Sequence, residues 1–204
     1  MTPRALLLAA LLFTATPLYA LDVEVKVVHT PGGVVSASIE LRDVIPERFK
    51  KTIDEGGVLH LRVQAELWEA RPVWDRLVYP AIVRVFRFTR GAGRNLSMTD
   101  PGGVVTTTQE APREMPIDVA LGDPSRVTAS ARYYVHVVAT LGTLAEREVD
   151  DVGDAVFGRP SDTNSLGSLG RLVFRTVLQI SDYLQSVTAE TKSRKLAGGD
   201  IIRP

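Results

Sequence analysis

Between Val58 and Thr89 the chain reads VLHLRVQAELWEARPVWDRLVYPAIVRVFRFT, and no other stretch restricts the possible folds as strongly. Leu59, Leu61, Val63, Ala65 and Leu67 fall on one face, while His60, Arg62, Gln64 and Glu66 fall on the other. Side chains on a strand alternate with period two, so this is a strand with one buried and one solvated face. Pro72 falls where a reversal is needed, and Val73 to Phe88 supplies apolar material for the return. The pattern predicts a long antiparallel hairpin with Trp68 and Trp74 flanking its turn.

The same alternation recurs on both sides of this hairpin. Leu21, Val23, Val25 and Val27 share one face of LDVEVKVV. After the turn Pro31-Gly32-Gly33, where glycine reaches positive φ, Val35, Ala37, Ile39 and Leu41 alternate with Ser36, Ser38, Glu40 and Arg42. These two strands are expected to form a first hairpin. Gly91 to Pro101 reads as a loop, Val104 to Thr108 as a short edge strand, and Ile117 to Leu121 as another short strand. From Val127 to Leu141 the odd positions are Val, Ala, Ala, Tyr, Val, Val, Ala and Leu, and the even ones hold Thr128, Ser130, Arg132, Tyr134, His136, Val138 and Thr140. That length with one polar face predicts a long, central or strongly curved antiparallel strand.

Helical periods interrupt the strands in three places. Ile45, Phe49 and Ile53 are four apart, Pro46 suits a first turn and Gly56 suits a stop, which predicts a short helix over 45–56. Thr143-Leu144-Ala145-Glu146 has the form of a capping box, opening a helix to about Phe157. After a polar linker around Pro160, Val173, Val177, Ile180, Leu184 and Val187 recur at alternating spacings of four and three. This predicts a last helix from Leu169 to Lys195, followed by a flexible tail over 196–204. Its seam would dock on the domain's own sheet, or serve a partner or homodimer, or lie on a membrane surface, for which Arg171, Arg175, Lys192, Arg194 and Lys195 are suited.

Composition narrows the class. Of 204 residues 45% are hydrophobic and 24% charged, the balance of a soluble globular domain. The formal charge is zero, and nucleic-acid binding would require a basic face, so that partner is not expected. There is no cysteine, which removes disulfides, thiolate metal sites and cysteine nucleophiles. Arg4 and the apolar run Ala5 to Phe13 have the form of a secretory signal, with Pro17 breaking any helix and cleavage expected near Ala20. A retained anchor is the alternative, although the run is short of the ~20 residues a bilayer requires. The expected location is a bacterial periplasm, where a cysteine-free chain must be held by core burial alone.

No catalytic constellation is legible. His60 and His136 share polar strand faces and could bind a metal with Glu66 or Glu40, but no local motif such as HExxH joins them. Glu146, Glu148, Asp150, Asp151 and Asp154 read as a solvated helix face rather than paired acid–base groups. Gly91-Ala92-Gly93 lacks the third glycine and the βαβ setting of a dinucleotide fingerprint, and there is neither a GxSxG nor a P-loop. Trp68, Trp74 and Tyr79 could line a hydrophobic groove or pack in the core and turn. No cofactor is implied.

Taken together, the strand ending Glu40-Leu41-Arg42-Asp43, the helix closing on Asp54-Glu55-Gly56-Gly57, the strand VLHLRVQAELWEAR, the pair Trp74-Asp75 and the return strand with Tyr79 support a family comparison. This block, residues 35–90, resembles the bacterial exported family numbered 4390 among the domains of unknown function. Its members carry signal peptides and a similar order of helix, glycine turn, strand, basic residue and tryptophan. Beyond Pro116 the similarity fades, and the helix from Leu169 stands where a proline- and tryptophan-rich ending is expected. The resemblance implies an exported envelope protein without an assigned activity, and carries over no functional residue.

The expected fold is α+β: a curved antiparallel sheet or sandwich of about seven strands over 21–141, the short inserted helix, and two C-terminal helices over 142–195. An outer-membrane barrel is disfavoured because the chain should then end in strands. Three functions stay open. One is a non-catalytic envelope interaction or accessory protein, using its outer sheet face or Val173, Val177, Ile180 and Leu184. Another is a carrier of lipid or a small hydrophobe near Trp68 and Trp74. The last is a metal-dependent hydrolase, which requires His60 and His136, or two acids, to converge.

Overall fold

Alternation along the long strands Leu59–Ala70, Glu114–Gly122 and Arg132–Gly142 is translated directly into layers. The computed structural model describes residues 20–91, 95–143 and 186–202, and the elements below are numbered within them. They run β1 (Asp22–His29), β2 (Val35–Arg42), α1 (Glu47–Asp54), β3 (Leu59–Ala70), β4 (Arg76–Leu77), β5 (Ile82–Arg90), β6 (Leu96–Thr99), β7 (Val105–Thr108), β8 (Glu114–Gly122), β9 (Arg132–Gly142), β10 (Ser186–Lys192), β11 (Leu196–Ala197) and α2 (Gly198–Ile201). The protein is mostly antiparallel β-sheet in two open sheets. A small sheet has the order β1-β2-β8, and a large one the order β10-β9-β3-β5-β6-β7, with β4 paired to β3 and β11 to β9.

The two sheets share one core. The large sheet contributes Leu59, Leu61, Val63, Ala65 and Leu67 from β3 and Tyr133, Val135, Val137, Ala139 and Leu141 from β9. Opposite them lie Ala37, Ile39 and Leu41 of β2 with Ile117, Val119 and Leu121 of β8. Helix α1 closes one margin by burying Phe49 and Ile53, its predicted stripe, and it stops where Gly56 takes a φ of 88°. Each of these large apolar side chains is worth ~1.5–3 kcal/mol in removed apolar surface, the term on which a chain without disulfides depends.

Several expectations require correction. The alternation of β1 fails after Val25: the register shifts between Val25 and Val27, so Val27 turns outward and Val28 packs against the core instead. Such a bulge inserts one residue and flips every side chain beyond it. Residues 127–131 precede β9 rather than belonging to it, because a turn closed by the Ala131 amide donating to the Thr128 carbonyl at 3.1 Å interrupts the alternation. Part of the expected loop after Gly91 is strand β6, paired to both β5 and β7. Among the described residues nine strands, β1 to β9, occupy the stretch for which about seven are expected, and β10 and β11 add to them from beyond it.

The C-terminus differs most. Ser186–Lys192 is not the end of a helix but strand β10, antiparallel to β9 from Ser186↔Gly142 to Lys192↔His136. Within SVTAETK, Val187 and Ala189 pack against the core while Thr188, Glu190 and Lys192 face solvent, the period of a strand. Its β-branched residues Val187, Thr188 and Thr191 suit that pleated setting. Nor is 196–202 a free tail. The Gly198 and Gly199 amides donate to the Ala131 and Ala129 carbonyls at 2.8 and 3.0 Å, Thr30 Oγ1 donates to the Ile201 carbonyl at 2.5 Å, and Ile201 is 1% exposed. Residues 1–19 of the leader, residues 144–157 of the acidic helix and the seam residues Val173, Val177, Ile180 and Leu184 lie outside the described residues.

Candidate functional site

The polar face of β3 becomes the outer face of the large sheet, and strand pairing sets what stands beside each of its residues. Glu66 pairs with His136 and Trp68 with Tyr134 across β3 and β9, while His136 pairs with Lys192 across β9 and β10. Trp68 also faces Leu77 of β4. The register therefore assembles a polar and aromatic cluster at the end of the sheet nearest the β3–β4 turn.

His136 lies between two carboxylates. Its Nδ1 is 3.2 Å from Glu66 Oε2 and its Nε2 is 2.8 Å from Glu190 Oε1. Glu66 also accepts from Trp68 Nε1 at 2.9 Å and Gln64 Nε2 at 2.6 Å. Burial pushes the Glu66 carboxyl up, but the hydrogen bonds from Trp68, Gln64 and His136 outweigh burial and hold it below its usual value. Next along the sheet, Tyr134 Oη donates to Asp75 Oδ2 at 2.7 Å, and Lys192 Nζ lies 5.7 Å from the centre of the Tyr134 ring. Burial first, then this bond to Asp75, push the Tyr134 hydroxyl up to about 12. Asp75 is held below its usual value by the Tyr134 hydroxyl and by the Arg71 amide.

The same end carries an ordered turn. The Arg71 amide donates to Asp75 Oδ1 at 3.1 Å, and Glu69 binds Arg71 Nε at 2.9 Å and Arg76 Nη2 at 2.5 Å. At its apex Val73 is 78% and Trp74 82% exposed, with Leu77 behind them at 39%. A tryptophan so exposed on a turn held by three side-chain contacts is unusual, because aromatic area is the largest apolar gain a surface can bury.

The three aromatic candidates therefore do not form a groove. Trp68 is half-buried on the outer face, Trp74 stands in solvent, and Tyr79 is buried in the core on the other side, donating its hydroxyl to the Asp123 carbonyl. Nor do the histidines converge. His60 pairs with Gly142, six residues along β3 from the Glu66–His136 pair, or about 20 Å at the rise of a strand. Glu40 is on the small sheet in ion pairs with Lys26 and Arg42. Among the described residues no group of three or more His, Cys, Asp or Glu side chains is arranged to hold a metal.

Chemically, both ring nitrogens of His136 are taken up by Glu66 and Glu190, and Glu66 is further held by Trp68 and Gln64. The cluster lies on a sheet face, and it joins β3, β9 and β10 laterally. Sequence reading identifies Glu66 and His136 but not Glu190, which the apolar spacing places on a helix; nor does it single out Tyr134 or Asp75. The fold and this face define a two-sheet antiparallel β protein that presents an aromatic turn beside a hydrogen-bonded polar row. No family model, no curated protein and no solved structure matches the chain.

Proposed function

We propose that this is an exported interaction protein of the bacterial envelope that acts by binding rather than by catalysis, with the β3–β4 turn as its contact surface. The observation that carries the proposal is Trp74, 82% exposed on a turn whose backbone is already fixed. A tryptophan presented without further ordering loses little entropy on binding, and such residues dominate binding energies. The leader-like run from Ala5 to Phe13 supports export. The α+β reading is retained in this proposal, with helices over 143–157 and from Leu169 to Gln185 packed on or extending from the sheet. The seam Val173, Val177, Ile180 and Leu184 would then be a second surface, for an envelope partner or a second copy.

Because the chain contains no cysteine, a single introduced thiol reports on one position. Val73→Cys leaves Trp74 in place, and Thr107→Cys on the distant, exposed β7 serves as control. A small water-soluble maleimide should label Cys at 73 more slowly in intact cells than in the purified protein, with no such difference at 107. Equal labelling of position 73 in both settings refutes the turn as a contact surface.

A further inference from the structure

Resting on that reading, we infer that the occupant of the β3–β4 turn is the surface of an anionic lipid bilayer, with Trp74 and Val73 at the interface and a ring of cations behind them.

Three observations lead there. The exposed apolar group is small, consisting of Val73, Trp74 and Leu77. A stable protein interface buries roughly 800 Å² per partner, far more than three side chains at the end of a hairpin supply. Insertion into the headgroup region needs only a few such residues, and tryptophan is the side chain that region favours, since its ring is apolar and its N–H is satisfied there.

The second observation is where the cations stand. Strand pairing sets Arg132 beside Ala70 on one side and Ala197 on the other, at the same end of the sheet as the turn. Lys192 reaches over Tyr134, whose hydroxyl is bonded to Asp75, the residue after Trp74. Arg194 and Lys195 follow in the short connection to β11, and Arg71 and Arg76 flank the turn itself. All six are exposed. Among them stand Glu69, paired with Arg71 and Arg76, and Asp75, so this end remains cationic although the whole chain is neutral. Glu66 shares a row with His136 and Lys192, and Glu190 lies further from the turn, both engaged with His136; with Glu66 counted, the six cations still outnumber the three acids at this end.

The third observation is rigidity. Tyr134, Asp75 and the Arg71 amide hold the turn against β9, which carries Arg132 and pairs with β10 and β11 on either side of the other cations, so both groups meet a surface together. Peripheral binding usually requires two such signals, because apolar insertion or charge alone gives only marginal affinity. No helix among the described residues is long and apolar enough to cross a membrane, and this contact would not require one.

The test is co-sedimentation of the exported protein with vesicles of phosphatidylglycerol and phosphatidylcholine, compared with phosphatidylcholine alone. Binding should be confined to the anionic vesicles, weaken as salt is added, and shift Trp emission to the blue. Trp74→Ala should lower the partition coefficient about tenfold, the loss of partial burial of one large side chain. Lys192→Gln and Lys195→Gln should each lower it about fivefold, the effect of one basic residue near an anionic surface. Because the charge of Lys195 also acts on Asp75, hydrogen exchange at the Arg71 amide is followed in Lys195→Gln, and an unchanged rate there assigns the loss of binding to surface charge. Equal binding to neutral vesicles, or binding unchanged by Trp74→Ala and Lys195→Gln, overturns the inference. Absence of vesicle binding while position 73 remains protected in cells refutes the lipid and leaves the turn as a contact surface. Loss of that protection refutes both.

Discussion

Replacing Glu66 by Gln tests whether the polar row on the outer face stabilises the fold through the charge of one carboxylate. Glu66 is 14% exposed and accepts three hydrogen bonds, from Trp68 Nε1, Gln64 Nε2 and His136. The isosteric amide preserves shape but brings two N–H donors into a position where three donors already point. Bonds to a charged acceptor are worth about 1.5–3 kcal/mol each when intact. Here water reaches the row and replaces part of each, so a total loss of about 2 kcal/mol is expected. For a chain of this size that corresponds to a fall in Tm of about 4–8 °C. The sign with pH is specific. The folded-state pKa of Glu66 is lowered, so the folded protein binds this proton less readily than the unfolded chain. The contribution is therefore complete above the ordinary carboxylate value of 4.5 and is lost as pH falls through the lowered folded value. Urea unfolding of the two proteins at neutral pH and well below that value should show a stability difference that shrinks in acid. A difference of the same size at both pH values would show that shape, not charge, is what the row requires.

Other perturbations probe neighbouring features. Gly198→Ala places a Cβ against the Thr128 backbone carbonyl, which has no freedom to withdraw, so a loss of about 1–3 kcal/mol is expected, with faster hydrogen exchange at the Gly199 amide. An unchanged Gly199 amide would mean that the C-terminal segment is not docked as described. Tyr134→Phe removes the bond to Asp75, and a spectroscopic titration should lose one tyrosine ionising at about 12. Because this folded-state pKa is raised above the ordinary 10, the associated stability is present below pH 10 and lost as pH rises toward 12. A variant with the same alkaline unfolding midpoint as the parent would exclude that linkage.

Much of the fold is legible in the sequence because strand alternation depends only on the pleat. The inner positions of β3 and β9, the first hairpin, helix α1 and the edge position of β7 all follow from a period of two or nearly four and from turn residues. Residues 186–192 read as helix because the step from Leu184 to Val187 extends the preceding apolar seam by one apparent turn. The competing alternation in SVTAETK is short and carries few large apolar residues. Only a partner strand distinguishes the two, and β9 is that partner, with Ser186 set beside Gly142 although they are far apart in sequence. Likewise, a bulge such as that after Val25 leaves no clear mark in composition, since it is a property of the pair of strands rather than of either one.

The site divides along the same line. Local sequence by itself determined that His60, Arg62, Gln64 and Glu66 share a face and that a turn follows near Pro72, whereas it set Trp74 beside that turn and the structure sets it within it. Which of those residues meet anything was decided by register. Glu66 stands beside His136, and Lys192 above Tyr134, only because β9 and β10 pair as they do, and His60 is left some six residues away for the same reason. Side-chain direction is a local consequence of backbone sterics, whereas juxtaposition is a sum over strands distant in sequence. The first can be read from a periodic pattern; the second exists only once the sheet has formed.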